Sequence, residues 1–195
     1  MRIRRAAARA YWAVSRWRYR AEPLPPAGAG ILIGAPHTSN WDFVLMLAIA
    51  WRTGISVRFL GKHELFRPPL GFLMRALGGI PVDRRHPAGL VEEIVDRVRA
   101  GERFFLVITP EGTRSASAHW KSGFYRIALA TGLPVTLGFV DRTTMTTGFG
   151  PTMHVTGDVA ADMDRIREFY AGKTGVRPAL GSEPRLRDES APPVL

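Results

Sequence analysis

The sequence predicts one α/β domain, a mixed and mostly parallel central sheet flanked by helices, preceded by a basic amphipathic N-terminal helix. Short apolar runs alternate with longer segments of helical periodicity. Several runs are continuously apolar, as strands covered on both faces are. Gly101 and Gly132 stand where two of the helical segments must stop.

At 195 residues the chain has the length of a single domain able to bury a core. Its 46% hydrophobic and 23% charged residues exclude a disordered or fibrous chain. Residues 2–20 read RIRRAAARAYWAVSRWRYR, alanine-rich enough for a helix that sets Ile3, Ala7, Ala10, Tyr11, Val14 and Trp17 on one side. This segment holds seven arginines and no acid, and so supplies most of the net charge of +10.

Residues 1–21 therefore suit an anionic membrane surface, and they lack the continuous apolar centre of a secretory signal. A solvated basic helix packed on the domain is the plainer reading. A phosphate-binding arm for nucleic acid is a third, but no nucleic-acid partner is expected. Residues 22–30, EPLPPAGAG, form a proline and glycine linker.

The domain proper is expected over residues 31–171. Its strands are predicted at 31–35, 56–60, 80–82, 104–108, 135–140 and 153–156. Helices are predicted at about 42–51, 69–77, 88–100, 122–131 and 162–170. Residues 172–195 turn to glycine, proline and charge, and are expected to be an extended or disordered tail. The longest apolar run, 43–51, falls short of the roughly 18 to 20 residues a spanning helix needs, so any membrane association is expected to be peripheral.

The chemistry sits in polar turns that follow the strands. Residues 36–42, PHTSNWD, place His37 at a strand exit and Asp42 at a helix start, where α/β folds carry reactive groups. A carboxylate that accepts from one imidazole nitrogen fixes the tautomer and leaves the other nitrogen to take a proton from an alcohol. By spacing alone, a structural histidine explains the pair as well.

Residues 109–115, TPEGTRS, follow another apolar strand. They offer close backbone approach at Gly112, hydroxyls at Thr113 and Ser115, a planar fork at Arg114, and Glu111 to orient either the arginine or an acceptor. Arg84 and Arg85 end a third strand and Lys62 follows a fourth, so the pocket between these turns is expected to be cationic.

The chain has no cysteine and no G-x-S-x-G elbow, which argues against a covalent acyl-enzyme. His63, His86, His119 and His154 show neither paired ligand spacing nor an HExxH helix, so no metal is expected.

Taken in order, these blocks resemble the glycerophospholipid acyltransferase family, which includes the 1-acylglycerol-3-phosphate acyltransferases. The family's histidine, four residues and aspartate match residues 37–42. Its glycine, apolar stretch and arginine match 79–84. Its PEGTRS block matches 110–115, and its apolar-Pro-apolar strand matches 133–137. Pro36, Thr109 and Gly138 depart from the family's usual residues, in the manner of a compact branch.

The resemblance implies an O-acyltransferase using acyl-CoA or acyl carrier protein as donor and a lysophospholipid, such as 1-acyl-sn-glycerol-3-phosphate, as acceptor. No further cofactor is implied. It assigns His37 and Asp42 to catalysis and Arg84, Glu111, Gly112 and Arg114 to the acceptor, with Thr113, from its hydroxyl, and Lys62, from its position, as further candidates. Residues 43–51 and 66–77 either wall an acyl channel or simply pack in the core. The expected location is the cytoplasmic face of a membrane. Acylation of a glycolipid or amino-acid lipid, an esterase using the same dyad on water, and a noncatalytic phospholipid-binding module are the alternatives.

Overall fold

A computed structural model describes residues 2–82 and 87–190. Among these residues, seven strands form one sheet in the order β1-β7-β6-β2-β5-β3-β4. The strands are β1 (Arg18–Ala21), β2 (Gly30–Ala35), β3 (Val57–Lys62), β4 (Gly79–Val82), β5 (Phe105–Ile108), β6 (Val135–Asp141) and β7 (Thr146–Met153). All neighbours run parallel except the β6–β7 pair, which closes through a short turn. The expected mixed, mostly parallel α/β architecture is the one observed.

Six α-helices accompany the described strands: α1 (Arg2–Val14), α2 (Trp41–Thr53), α3 (Leu70–Ala76), α4 (Pro87–Arg99), α5 (Gly123–Thr131) and α6 (Val159–Tyr170). From β2 the chain crosses through α2 to β3, then through α3 to β4. It returns to β5 through α4 and passes over β2 to β6 through α5. Right-handed crossovers therefore put α2 and α3 on one face of the sheet and α4 and α5 on the other.

The core follows that division. Ile31 and Ile33 of β2 pack with Ile94, Phe124, Ile127, Met163 and Ile166 from α4, α5 and α6. Leu32 points the other way, toward Ile49 of α2 and Trp12 of α1. Both faces of β2 are buried, which is why its sequence, GILIGA, is apolar without alternation.

Two elements differ from the sequence reading. Residues 2–20 do not form one helix: α1 stops at Val14, and Arg18–Ala21 is an edge strand paired with β7. Tyr19 turns inward to within 6.4 Å of the Phe149 ring, while Arg18 and Arg20 stay exposed. In a run that alternates arginine and aromatic residues, period 2 competes with the helical period, and pairing with β7 decides between them.

The strand expected at 153–156 is instead Thr146–Met153. Glycines and Pro151 disguise it. A Cβ at Gly148 would lie 1.6 Å from the Arg20 carbonyl oxygen, so only glycine lets β1 approach. Pro151 lies past the last residue paired with β1, Phe149, so its missing N–H costs that ladder nothing.

Helix α1 is docked against α2. Ala8 is buried, and the Trp12 indole N–H donates to the Ala48 carbonyl at 3.2 Å. Among the described residues, no helix is long and apolar enough to cross a membrane.

Candidate active site

Strands β2 and β5 are adjacent and parallel, with Ile33 opposite Ile108, so the turns leaving their C-terminal ends emerge side by side. The first continues into α2 on one face and the second toward α5 on the other. This divergence opens a crevice at the switch point of the sheet, the position α/β folds use for ligands.

Asp42 lies in the first turn of α2 and points back into the preceding turn. Its Oδ2 accepts from the backbone N–H groups of Thr38 and Ser39, each at 2.8 Å, and lies 3.3 Å from His37 Nδ1. One carboxylate oxygen thus folds the turn and holds the imidazole, with the positive end of α2 favouring its charge. With Nδ1 committed, Nε2 is the ring atom left for proton transfer. The His37 side chain is 21% exposed against 7% for Asp42, so the base meets solvent and its support does not.

Glu111 lies 2% exposed beneath this turn. Its Oε2 accepts from the His37 backbone N–H at 2.6 Å. Burial pushes its carboxyl up to about 7, opposed by the His37 N–H and assisted by the negative charge of Asp42. The Tyr170 hydroxyl, which donates to the Gly138 carbonyl at 2.7 Å, is held well above its ordinary range by burial and by the same Glu111 charge.

Gly112 takes a left-handed φ of +69°, which turns the chain immediately after Glu111. Arg114 donates to the Asn40 side-chain oxygen and so ties the two turns together at the surface.

Of the residues singled out by sequence, the structure brings together His37, Asp42, Glu111, Gly112 and Arg114, with Thr113 exposed on the same turn. Lys62 is exposed at the end of β3, which is separated from β2 by β5. Arg84 lies outside the described residues.

Sequence reasoning missed three contributors. Asn40 gained no role from its position inside the motif. Thr38 is buried, and its hydroxyl oxygen accepts from the Arg177 N–H at 2.9 Å, although Arg177 lies in the stretch expected to be a tail. A Cβ at Gly175 would meet Thr38 Oγ1 at 2.5 Å, so this segment passes directly against the His37 turn. Trp120 is buried beside Tyr170, their ring centroids 5.7 Å apart. No short-range pattern marks either contact, because each spans a long stretch of chain.

Two cavities flank the His37 turn and share Ala35 and Pro36. The first, about 160 Å³, lies between α2 and the sheet. His37, Asp42 and Thr109 line it together with apolar side chains such as Leu45, Met46, Ile49 and Phe149. The second, about 520 Å³, is bounded by Glu111, Trp120, Tyr170 and the segment after α6. The α2 segment anticipated as a channel wall does line the first cavity. The segment 66–77 does not.

An aligned imidazole and carboxylate at the mouth of an apolar cavity suit proton abstraction from a hydroxyl beside a bound acyl chain. The acyltransferase family model matches residues 16–136, more than half of the chain, and the protein belongs to that family. Two relatives named 1-acyl-sn-glycerol-3-phosphate acyltransferase, from Limnanthes alba and Limnanthes douglasii, are each 32% identical to it over 106 residues. The match takes in 51% of this chain but only 36% of either relative. No solved structure matches it.

Proposed function

We propose that this protein transfers a fatty acyl group from acyl-CoA or acyl carrier protein to a hydroxyl of a lysophospholipid, 1-acyl-sn-glycerol-3-phosphate being the first acceptor to test. The observation that carries this is the His37 Nδ1 to Asp42 Oδ2 pair at 3.3 Å, set at the mouth of the apolar cavity under α2. The names of the two relatives support the choice of acceptor.

In this mechanism His37 Nε2 takes the proton of the acceptor hydroxyl as its oxygen attacks the thioester carbonyl. Asp42 stabilises the imidazolium that forms. Collapse of the tetrahedral intermediate breaks the carbon–sulfur bond, and the proton leaves with the thiol. The acyl chain occupies the cavity under α2, and the acceptor phosphate is assigned to Arg84 and the turn at 111–115.

Two outcomes test the parts. Met46→Trp narrows the cavity, so kcat/KM shifts toward shorter acyl donors in a chain-length series; an unchanged preference removes the chain from that cavity. Arg84→Lys keeps the charge but loses the planar fork. It lowers efficiency with a phosphorylated acceptor and spares slow transfer to a neutral monoacylglycerol; equal losses on both would assign Arg84 to the fold or the donor.

We also propose that the enzyme works as a peripheral protein at the cytoplasmic face of a membrane. The charge of the arginine-rich N-terminal segment supports this, and its salt-sensitive binding to anionic vesicles would test it.

A further inference from the structure

Exposed apolar side chains are unevenly distributed over the protein. Among the described residues, the large ones fall on α1, the start of α2 and residues 65–73, with Leu129 of α5 the exception. Phe72 is 84% exposed, and Leu70 and Leu73 are 45% and 49% exposed on the same short helix. A soluble surface rarely leaves three such side chains open within four positions.

This segment cannot turn inward. The preceding 3-10 turn, His63–Phe66, buries Phe66 instead, and Arg75 caps that residue by donating to its carbonyl oxygen at 3.1 Å. Gly71 packs so closely on the Phe66 backbone that a Cβ would come within 2.0 Å of its carbonyl oxygen. One side of α3 is thus locked down by Phe66 and Gly71, and Phe72 is held outward.

Helix α1 presents a matching surface. Ala8 and Trp12 face the domain, while Ile3 and Val14 are 85% and 84% exposed. Ile3 and Trp12 are nine residues, about two and a half turns, apart and so lie on opposite sides. Ile3, Ala7, Ala10 and Val14 form an outward stripe, flanked by Arg2 and Arg9 on one edge and Arg4 on the other. Arg4 donates to the carbonyl of Ala76 at 3.0 Å, which joins this helix to the end of α3.

We propose that α3 is a membrane wedge: Leu70, Phe72 and Leu73 insert into an anionic bilayer while the outward stripe of α1 lies on the same surface. Charge complementarity selects lipid over a second copy of this chain. The apolar side chains are bordered by Arg67, Lys62 and the α1 arginines, which suit anionic headgroups and would repel their own duplicates. The cavity under α2 lies on the same face of the sheet as α3, so on this reading an acyl chain passes into it from the bilayer. The inference rests on the membrane-surface reading above and adds the element that inserts.

The test is sedimentation of the full chain with vesicles of phosphatidylglycerol and phosphatidylcholine, comparing the parent with a Leu70→Ser, Phe72→Ser, Leu73→Ser variant at low and high salt. Because these side chains are exposed, the variant keeps the parent's circular dichroism and melting temperature. Its partition falls at least about tenfold, and what remains is abolished by salt, because screening acts on the arginines and not on apolar insertion. Transfer to a water-soluble short-chain acceptor is the same for both proteins, which separates loss of docking from failure of the proposed chemistry.

Equal partition of variant and parent would overturn the wedge. So would a parent dimer in analytical ultracentrifugation that the variant dissociates without loss of vesicle binding, because the face would then join two copies.

Discussion

His37→Ala and Asp42→Asn each lower acyl-transfer turnover by about 10² to 10⁴-fold, the range that positioned acid–base catalysis contributes. The double variant is little worse than His37→Ala, because in the proposed mechanism both residues act through one proton transfer. Asp42→Asn removes the charge that supports the imidazolium while leaving an oxygen for the Thr38 and Ser39 N–H groups, so its fold is retained. Asp42→Ala leaves those two donors unmatched and is destabilised as well, by about 1 to 3 kcal/mol for each N–H left buried. Turnover measured beside thermal melting separates the two effects. Additive losses in the His37 and Asp42 pair would refute a dyad.

The second large effect is at Glu111, and it depends on pH. Burial raises its carboxyl from an ordinary 4.5 to about 7, so the folded protein holds this proton more tightly than the unfolded chain. The linked stability is therefore fully present below pH 4.5 and is lost as pH rises through 7, an amount of about 3 kcal/mol.

Glu111→Gln keeps an oxygen for the His37 N–H and removes the titration, so its contribution is flat across that window and it melts higher than the parent above pH 7. Glu111→Ala leaves the N–H unpartnered and lowers kcat with phosphorylated and neutral acceptors alike, the signature of a residue that positions His37. A loss confined to KM for phosphorylated acceptors would return Glu111 to the acceptor site that the family resemblance assigns it. Denaturant melts of parent and Glu111→Gln between pH 4 and 8 measure the linkage directly.

The positions of these residues were legible in the sequence to different degrees. The His37 and Asp42 pair was readable because both ends of the motif lie within one turn and one helix start, a local arrangement that spacing encodes. The turn at 109–115 was readable because an apolar strand precedes it. The contact of Glu111 with the His37 backbone was not, because burial of a carboxylate beneath a neighbouring strand's turn depends on strand order, and strand order is nonlocal.

The same reason hid the tie between Arg177 and Thr38, which spans 139 positions in the chain. The apolar character of 66–77 was visible but ambiguous. Periodicity marks an amphipathic helix without saying which side meets protein, and here Phe66 and Gly71 take the inward side while Phe72 is left outside. Edge strand β1 was lost because its four residues, RYRA, continue a run of alternating arginine and aromatic residues that fits the end of a helix as well as a strand.

The most direct test of the proposed chemistry is one incubation of the purified protein with acyl-CoA and 1-acyl-sn-glycerol-3-phosphate, read by mass spectrometry beside His37→Ala. The mechanism predicts a diacylated phospholipid formed in step with free coenzyme A, dependent on the acceptor and absent from the variant. Coenzyme A released at the same rate with or without acceptor, or product formed equally by His37→Ala, would contradict it.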